Sequence, residues 1–196
     1  IQARRGSGFI LRTIYREISR RMNGLVLAGG QSTRMGKDKA LIDYHGQPQF
    51  LHIYKLLENY CDQVFISSKE NKYSLPTLID SPELEALGPI AGIISAFEYE
   101  DNDWLVIAID YPLFSKEHIL KLIEPTDTLA NVYFNPVTGF FEPFLALYKQ
   151  TFKETLMSEI STGTNSLQTI LRKSLVTKVI PKNLEVIKSI DYPEQP

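Results

Sequence analysis

The sequence predicts a layered α/β fold, and three observations lead there. Short apolar runs such as Val64-Phe65-Ile66 alternate with stretches whose apolar residues recur every three or four positions. Several of these runs stop abruptly at a loop or acid: Leu25-Val26-Leu27 at Ala28-Gly29-Gly30, Thr77-Leu78-Ile79 at Asp80, and Trp104 to Ile109 at Asp110. The third is composition. At 196 residues, 43% hydrophobic and 22% charged, the chain can bury a substantial core in one domain over residues 22–196, which excludes a disordered or fibrous protein.

The elements follow in order. Leu25-Val26-Leu27 reads as the end of a buried strand, and Gly29 and Gly30 let the backbone turn beside an anion without side-chain interference. Pro48 opens a helical stretch in which Phe50, Ile53, Tyr54, Leu57 and Cys61 share one face. Val64 to Ile66 is a second strand ending in Ser67, Ser68 and Lys69, and Thr77 to Ile79 a short third. Gly88-Pro89 opens a helix through Ile90, Ile93, Ile94 and Phe97. Trp104 to Ile109 is apolar throughout, as expected of a central strand buried on both faces. Leu129 to Phe134 and Phe144 to Leu147 read as further strands, Ser166 to Lys173 as a helix and Val176 to Ile180 as a last strand. No repeat or linker divides the chain.

Charge and cysteine usage narrow the function. The single Cys61 excludes an intrachain disulfide framework and a cysteine-rich zinc site, reads as a buried helix-end thiol, and fits a cytoplasmic protein. No apolar run is long enough to span a bilayer, and a net charge of −2 is no basis for binding nucleic acid, so neither membrane nor nucleic acid is an expected partner. Residues 1–21 depart from this average, with six arginines against the single acid Glu17. Ile10, Ile14 and Ile18 would give that segment the apolar stripe of a short basic amphipathic helix, similar to an organelle presequence; the plainer expectation is a basic extension upstream of Met22, either translated with the domain or a non-native remnant.

Candidate chemistry gathers at strand ends, because ligands of open α/β sheets sit outside the carboxyl ends of the strands. The loop after the first strand carries Arg34, Lys37 and Lys39: a guanidinium grips phosphate bidentately, an ammonium neutralises it as a point charge, and together they suit a triphosphate. The loop matches neither G-x-G-x-x-G nor G-x-x-x-x-G-K-[ST], and a glycine turn before a solvated basic loop is the plain alternative. Asp80 and Asp110 are carboxylates placed directly after apolar strands. At Asp110 a hard oxygen ligand would suit Mg²⁺ carrying a triphosphate, against the alternative of an aspartate capping the next turn.

The full string from Leu27 to Leu41, L-A-G-G-x-S-x-R-M-G-x-D-K-A-L, resembles the signature of the molybdenum cofactor guanylyltransferases, the MobA family of nucleotidyltransferases. Asp110-Tyr111-Pro112 resembles the family's metal-binding D-x-P segment, Gly88-Pro89-Ile90-Ala91-Gly92 its G-P-[LI]-A-G segment, and Phe141 to Tyr148 its E-P-x-x-A-L-Y stretch. The resemblance implies a three-layer α/β/α Rossmann-like nucleotidyltransferase fold with a mostly parallel mixed sheet. It further implies that Leu27, Ala28, Gly29, Gly30, Lys39, Asp80 and Asp110 bind nucleotide, that Asp110 holds Mg²⁺, and that Arg34, Lys39 and Asp110 are catalytic. Gly88 and Gly92 read as turn and packing residues, and Glu142 either as facing the acceptor or as a solvated strand-start carboxylate.

The reaction implied is transfer of GMP from GTP to the terminal phosphate of molybdopterin, with cofactor insertion or delivery proteins as further partners. That phosphate is already an anion, so His45, His52 and His118 are expected to be surface or helix histidines rather than a general base. Two departures stand out. Ser67-Ser68-Lys69 occupies the place where the family offers an asparagine to the base, and Ser189 and Asp191 replace both asparagines of N-x-N-T-P-E. Asp191 would join Asp110 at the metal or cap a turn before Pro193. Ala28-Gly29-Gly30 and Asp38-Lys39 favour the guanylyl branch over cytidylyl transfer to molybdopterin or an isoprenoid precursor; a non-catalytic nucleotide-binding module is the other alternative.

Overall fold

The computed structural model describes residues 22–28 and 39–189; the basic segment 1–21, the loop residues Gly29, Gly30, Arg34 and Lys37, and Asp191 lie outside the described residues. Met22–Leu27 forms strand β1, buried along its whole length. A 3-10 turn at Lys39–Leu41 precedes helix α1, Gln49–Leu57. Val64–Ser68 is β2 and Thr77–Ile79 is β3, followed by a 3-10 helix at Pro82–Leu87 and helix α2, Ile90–Tyr99. Then come β4 (Asp103–Ala108), α3 (Lys116–Leu122), β5 (Ala130–Asn135) and β6 (Phe140–Tyr148). Helices α4 (Phe152–Ser161) and α5 (Leu167–Lys173), strand β7 (Val176–Val179) and a 3-10 turn at Leu184–Ile187 complete the elements among the described residues.

The seven strands form one sheet in the order β3-β2-β1-β4-β6-β5-β7. Only β6 runs antiparallel to its neighbours; every other pairing is parallel. Two glycines show how the helices divide between the faces. A Cβ on Gly24 would lie 3.2 Å from Leu57 of α1 and from Cys61, whereas a Cβ on Gly92 of α2 would come within 3.0 Å of Leu27. Gly24 and Leu27 are an odd number of residues apart on β1, so they point to opposite faces, and so do the two helices. At the other end of the sheet, Asn131 donates to Leu122 O of α3 at 2.6 Å, while Gln168 of α5 accepts from Phe141 N–H at 3.1 Å. The result is the expected three-layer α/β/α arrangement with a mostly parallel mixed sheet.

Trp104 and Leu105 through Ile107 are buried on both faces of the central β4, which explains the lack of polar alternation there. Cys61 is buried just beyond α1, and desolvation pushes its thiol far above the ordinary range, so it is inert packing. No described helix is long and apolar enough to cross a membrane.

Three elements differ from expectation. Strand β6 begins at Phe140, not Phe144, and so contains Pro143. The β5 register jumps there from Val132↔Ala146 to Tyr133↔Glu142, leaving residues 143–145 without a β5 partner, and a residue lacking N–H is tolerated in that irregularity. Helices α3 and α4 are additional. Each buries only two side chains, Ile119 and Leu122 or Phe152 and Leu156, too few to register as a periodic stripe.

Helix α3 has its own device: Ser115 N–H donates to His118 Nδ1 at 3.0 Å, the reciprocal half of a capping box with histidine in the usual place of glutamate. Nδ1 accepts only while unprotonated, and desolvation lowers the His118 pKa below its ordinary 6.5, against an upward pull from Glu117. A depressed folded pKa means that the unfolded chain binds the proton more readily. The cap's contribution is therefore complete above the unfolded value and is lost as pH falls through it towards the folded value. The thermal midpoint should fall more steeply from about pH 7.5 to about pH 5 in the native chain than in His118→Gln. Parallel slopes in a calorimetric series would refute this.

Candidate active site

The strand order contains a reversal at β1: β2 lies on one side of it and β4 on the other. Ligands of open α/β sheets sit in the crevice at such a point. Register brings the relevant ends level, with Leu27 opposite both Ser67 and Ala108, and Ser68 opposite Ile79. Ala28, Asp80 and Asp110 thus leave the sheet along one rim of four adjacent strands. At the usual strand spacing that rim spans about 14 Å, comparable to an extended nucleotide.

On the central pair, Ala28 N–H donates to Ser67 O and Ile109 N–H to Leu27 O, both at 3.3 Å, so the backbone entering the glycine loop is tied to both neighbours. Leu27 and Ala28 are buried. At the far end of the loop a 3-10 turn spans Lys39–Leu41, and Ala40 within it is fully buried.

Asp80 sits beyond β3 with its N–H bonded to Ser68 O at 3.1 Å. Ser67 Oγ donates to Asp80 Oδ1 at 2.8 Å, which orients the carboxylate. Partial burial raises its pKa, opposed by the Ser67 hydrogen bond and the charge of Lys69. Lys69 itself pairs with Glu85 of the 3-10 helix. Gly88 adopts φ +57°, the left-handed turn that delivers Pro89 to α2, and Gly92 lies so close to β2 that a Cβ would stand 2.2 Å from Ser67 Oγ. Ser67 is the participant that sequence reading did not single out. Nothing in the linear spacing joins it to Asp80.

Asp110 follows β4 in a turn held by its neighbours. Tyr111, almost fully buried, donates its hydroxyl to Glu142 Oε2 at 3.0 Å, and Pro112 O lies 2.9 Å from His45 Nε2. Glu142 is therefore not the solvated carboxylate considered above: it is partly buried and bound to Tyr111, with desolvation raising its pKa against that hydrogen bond. His45 and His52 stack with ring centroids 3.8 Å apart. Among the described residues no group of three or more His, Cys, Asp or Glu side chains could hold a metal alone. Mg²⁺ in general needs only one or two protein carboxylates, the rest of its shell being phosphate oxygens and water.

Comparison with known proteins agrees with this geometry. The MobA-like NTP transferase domain matches residues 24–179. The chain is 38% identical over 180 residues to the molybdenum cofactor biosynthesis bifunctional protein of Synechocystis sp., covering 87% of this chain and 51% of that one, so it spans about half of that relative's length. It is 30% identical over 170 residues to the "Probable molybdenum cofactor guanylyltransferase" of Bacillus cereus, covering 83% of this chain and 85% of the relative. In fold it is similar to the crystal structure of molybdopterin-guanine dinucleotide biosynthesis protein A from Archaeoglobus fulgidus, with a TM-score of 0.68 at 23% identity over 88% of this chain and 94% of that one. With the MobA-like NTP transferase domain matched over most of its length, this chain is a nucleotidyltransferase and belongs to the MobA-like molybdenum cofactor guanylyltransferase family.

Proposed function

We propose that residues 22–196 act as one catalytic domain in the cytoplasm that transfers GMP from GTP to the terminal phosphate of molybdenum-molybdopterin, yielding the guanine dinucleotide cofactor and pyrophosphate. The observation that carries this reading is the common rim on which Ala28, Asp80 and Asp110 emerge at the sheet's switch point. An oxygen of the acceptor phosphate bonds to the α-phosphorus while the bond to the β-phosphate oxygen breaks, and pyrophosphate leaves. The attacking group is already an anion, so no side chain needs to take a proton. Positioning and charge stabilisation carry the rate.

In this reading Arg34, Lys39 and the amides of Gly29 and Gly30 hold the β- and γ-phosphates. Asp110 would hold Mg²⁺, which when bound neutralises phosphate oxygens. Asp80, kept in place by Ser67, suits the base: guanine presents adjacent N–H donors on one edge, which a carboxylate accepts, whereas cytosine presents one amino group beside an acceptor nitrogen. Lys69, engaged with Glu85, closes the Ser67-Ser68-Lys69 stretch at which the resemblance implies an asparagine for the base.

Thermal shifts with GTP, CTP, UTP and ATP in Mg²⁺ test the base, with selective stabilisation by GTP expected. Selective stabilisation by CTP would overturn the guanylyl assignment, and GTP binding without pyrophosphate release in the presence of molybdopterin would reduce the chain to a nucleotide-binding module. Lys39→Ala should lower kcat by about a hundredfold with a smaller change in GTP affinity, because its charge matters most as the pyrophosphate departs. Steady-state pyrophosphate release checks this, and an unchanged kcat refutes it.

A further inference from the structure

The loop carrying Asp110 is gripped on two sides, and one grip reaches it from the far end of the phosphate-binding segment. Past the Lys39–Leu41 turn, residues 43–48 form a tight turn closed by a bridge between Asp43 and Pro48. Asp43 Oδ1 accepts the N–H groups of His45 at 3.0 Å and Gln47 at 2.9 Å, so the backbone around His45 is held from within. The His45 ring then lies on the ring of His52, from α1, at 20° between planes. His52 Nδ1 is 3.4 Å from Gln47 Nε2, and Gln47 Oε1 accepts from Lys55 at 2.9 Å, which ties the turn to α1 a second time. From this platform His45 Nε2 reaches Pro112 O, 67 residues along the chain. A carbonyl can only accept, so Nε2 carries the proton.

Such a contact does little for the core, since the turn lies at the surface. Its consequence is geometric. It fixes the carbonyl two residues beyond Asp110 relative to a turn that begins four residues after Lys39, while Tyr111, between them, is fixed by Glu142 of the neighbouring strand β6. Displacements of about 1 Å at a reacting centre can cost about a hundredfold in rate.

We propose that His45 is a positioning residue: its Nε2–H, held in place by the stack on His52, sets the Asp110 loop at a defined separation from the Lys39 turn before nucleotide arrives. This rests on the nucleotidyl-transfer reading above. The experiment compares the full chain with His45→Phe, which keeps a ring to stack on His52 but has no donor, and His45→Gln, which keeps an N–H donor of similar reach. Two quantities are read for each: kcat and KM for GTP from pyrophosphate release, and Mn²⁺ affinity of the GTP complex by electron paramagnetic resonance, with thermal melting as the control for folding. His45→Phe is expected to lose about tenfold in kcat and to bind Mn²⁺ more weakly with KM for GTP little changed, and His45→Gln to recover most of both. A wild-type kcat and Mn²⁺ affinity in His45→Phe, or equal losses in the two variants, would overturn the proposal. Absence of Mn²⁺–GTP binding and of turnover in the unsubstituted chain would instead refute the nucleotidyl-transfer reading, and the positioning role with it.

Discussion

Asp110→Asn should lower pyrophosphate release from GTP, Mg²⁺ and molybdopterin by at least about a thousandfold while leaving the fold intact. The substitution keeps the shape of the side chain and removes only its charge, and in the proposed mechanism charge is what a Mg²⁺–triphosphate would need from Asp110. Asp110 follows a strand whose residues Leu105, Val106 and Ile107 have no exposure at all, which anchors the turn that carries it. Beyond it, Tyr111 and Pro112 are tied to Glu142 and His45. A neutral oxygen at that position binds Mg²⁺ weakly, and no described trio of acidic, histidine or cysteine side chains stands ready to replace it. GTP binding without metal should be little affected and Mn²⁺ binding greatly weakened, with circular dichroism and melting unchanged. Retention of full turnover would remove Asp110 from the metal.

Gly92→Ala should destabilise the protein by about 1–3 kcal/mol, lowering the thermal midpoint by roughly 3–10 °C, and should weaken nucleotide binding as well. Two effects compete. Alanine inside a helix is favoured over glycine by about 1 kcal/mol, which would make the change stabilising on an isolated helix. Here the new methyl group would stand 2.2 Å from Ser67 Oγ and 3.0 Å from both Ser67 Cβ and Leu27 Cδ2. Ser67 is buried in β2 and cannot swing its hydroxyl aside without releasing Asp80, so helix and strand must separate. Overpacking therefore wins. Combining Gly92→Ala with Ser67→Gly should restore most of the stability but not the nucleotide affinity, because the methyl group is accommodated while Asp80 loses its donor. A stabilised single variant would show that α2 does not approach β2 as closely as the structure has it.

The local chemistry of the chain was legible residue by residue. Apolar runs ending at Gly29 and Asp110 announced strands, because a segment buried on both faces has no polar alternation to hide it, and the shorter run before Asp80 announced a short strand, which lies at the sheet edge with Ile79 exposed. The string from Leu27 to Leu41 pointed to the family, to which the domain match over residues 24–179 independently assigns the chain. Elements with weak local signals escaped: α3 and α4 for want of an apolar stripe, and the first half of β6 because Pro143 argues against a strand until its neighbour is seen to skip three residues there.

The pairings that shape the candidate site were another matter. Ser67 with Asp80, Tyr111 with Glu142, and His45 with Pro112 are 13, 31 and 67 residues apart, and each depends on which strands lie side by side and in what register. Propensity, periodicity and strand ends act over a few residues, so the sequence alone determined the family, the fold class and which carboxylates stand at strand ends. Only the tertiary structure decided that Asp80 is oriented by a serine, that Gly92 has no room for a methyl group, and that the Asp110 loop is held from both sides, because a hydrogen bond between distant residues exists only once the sheet has set its strand order.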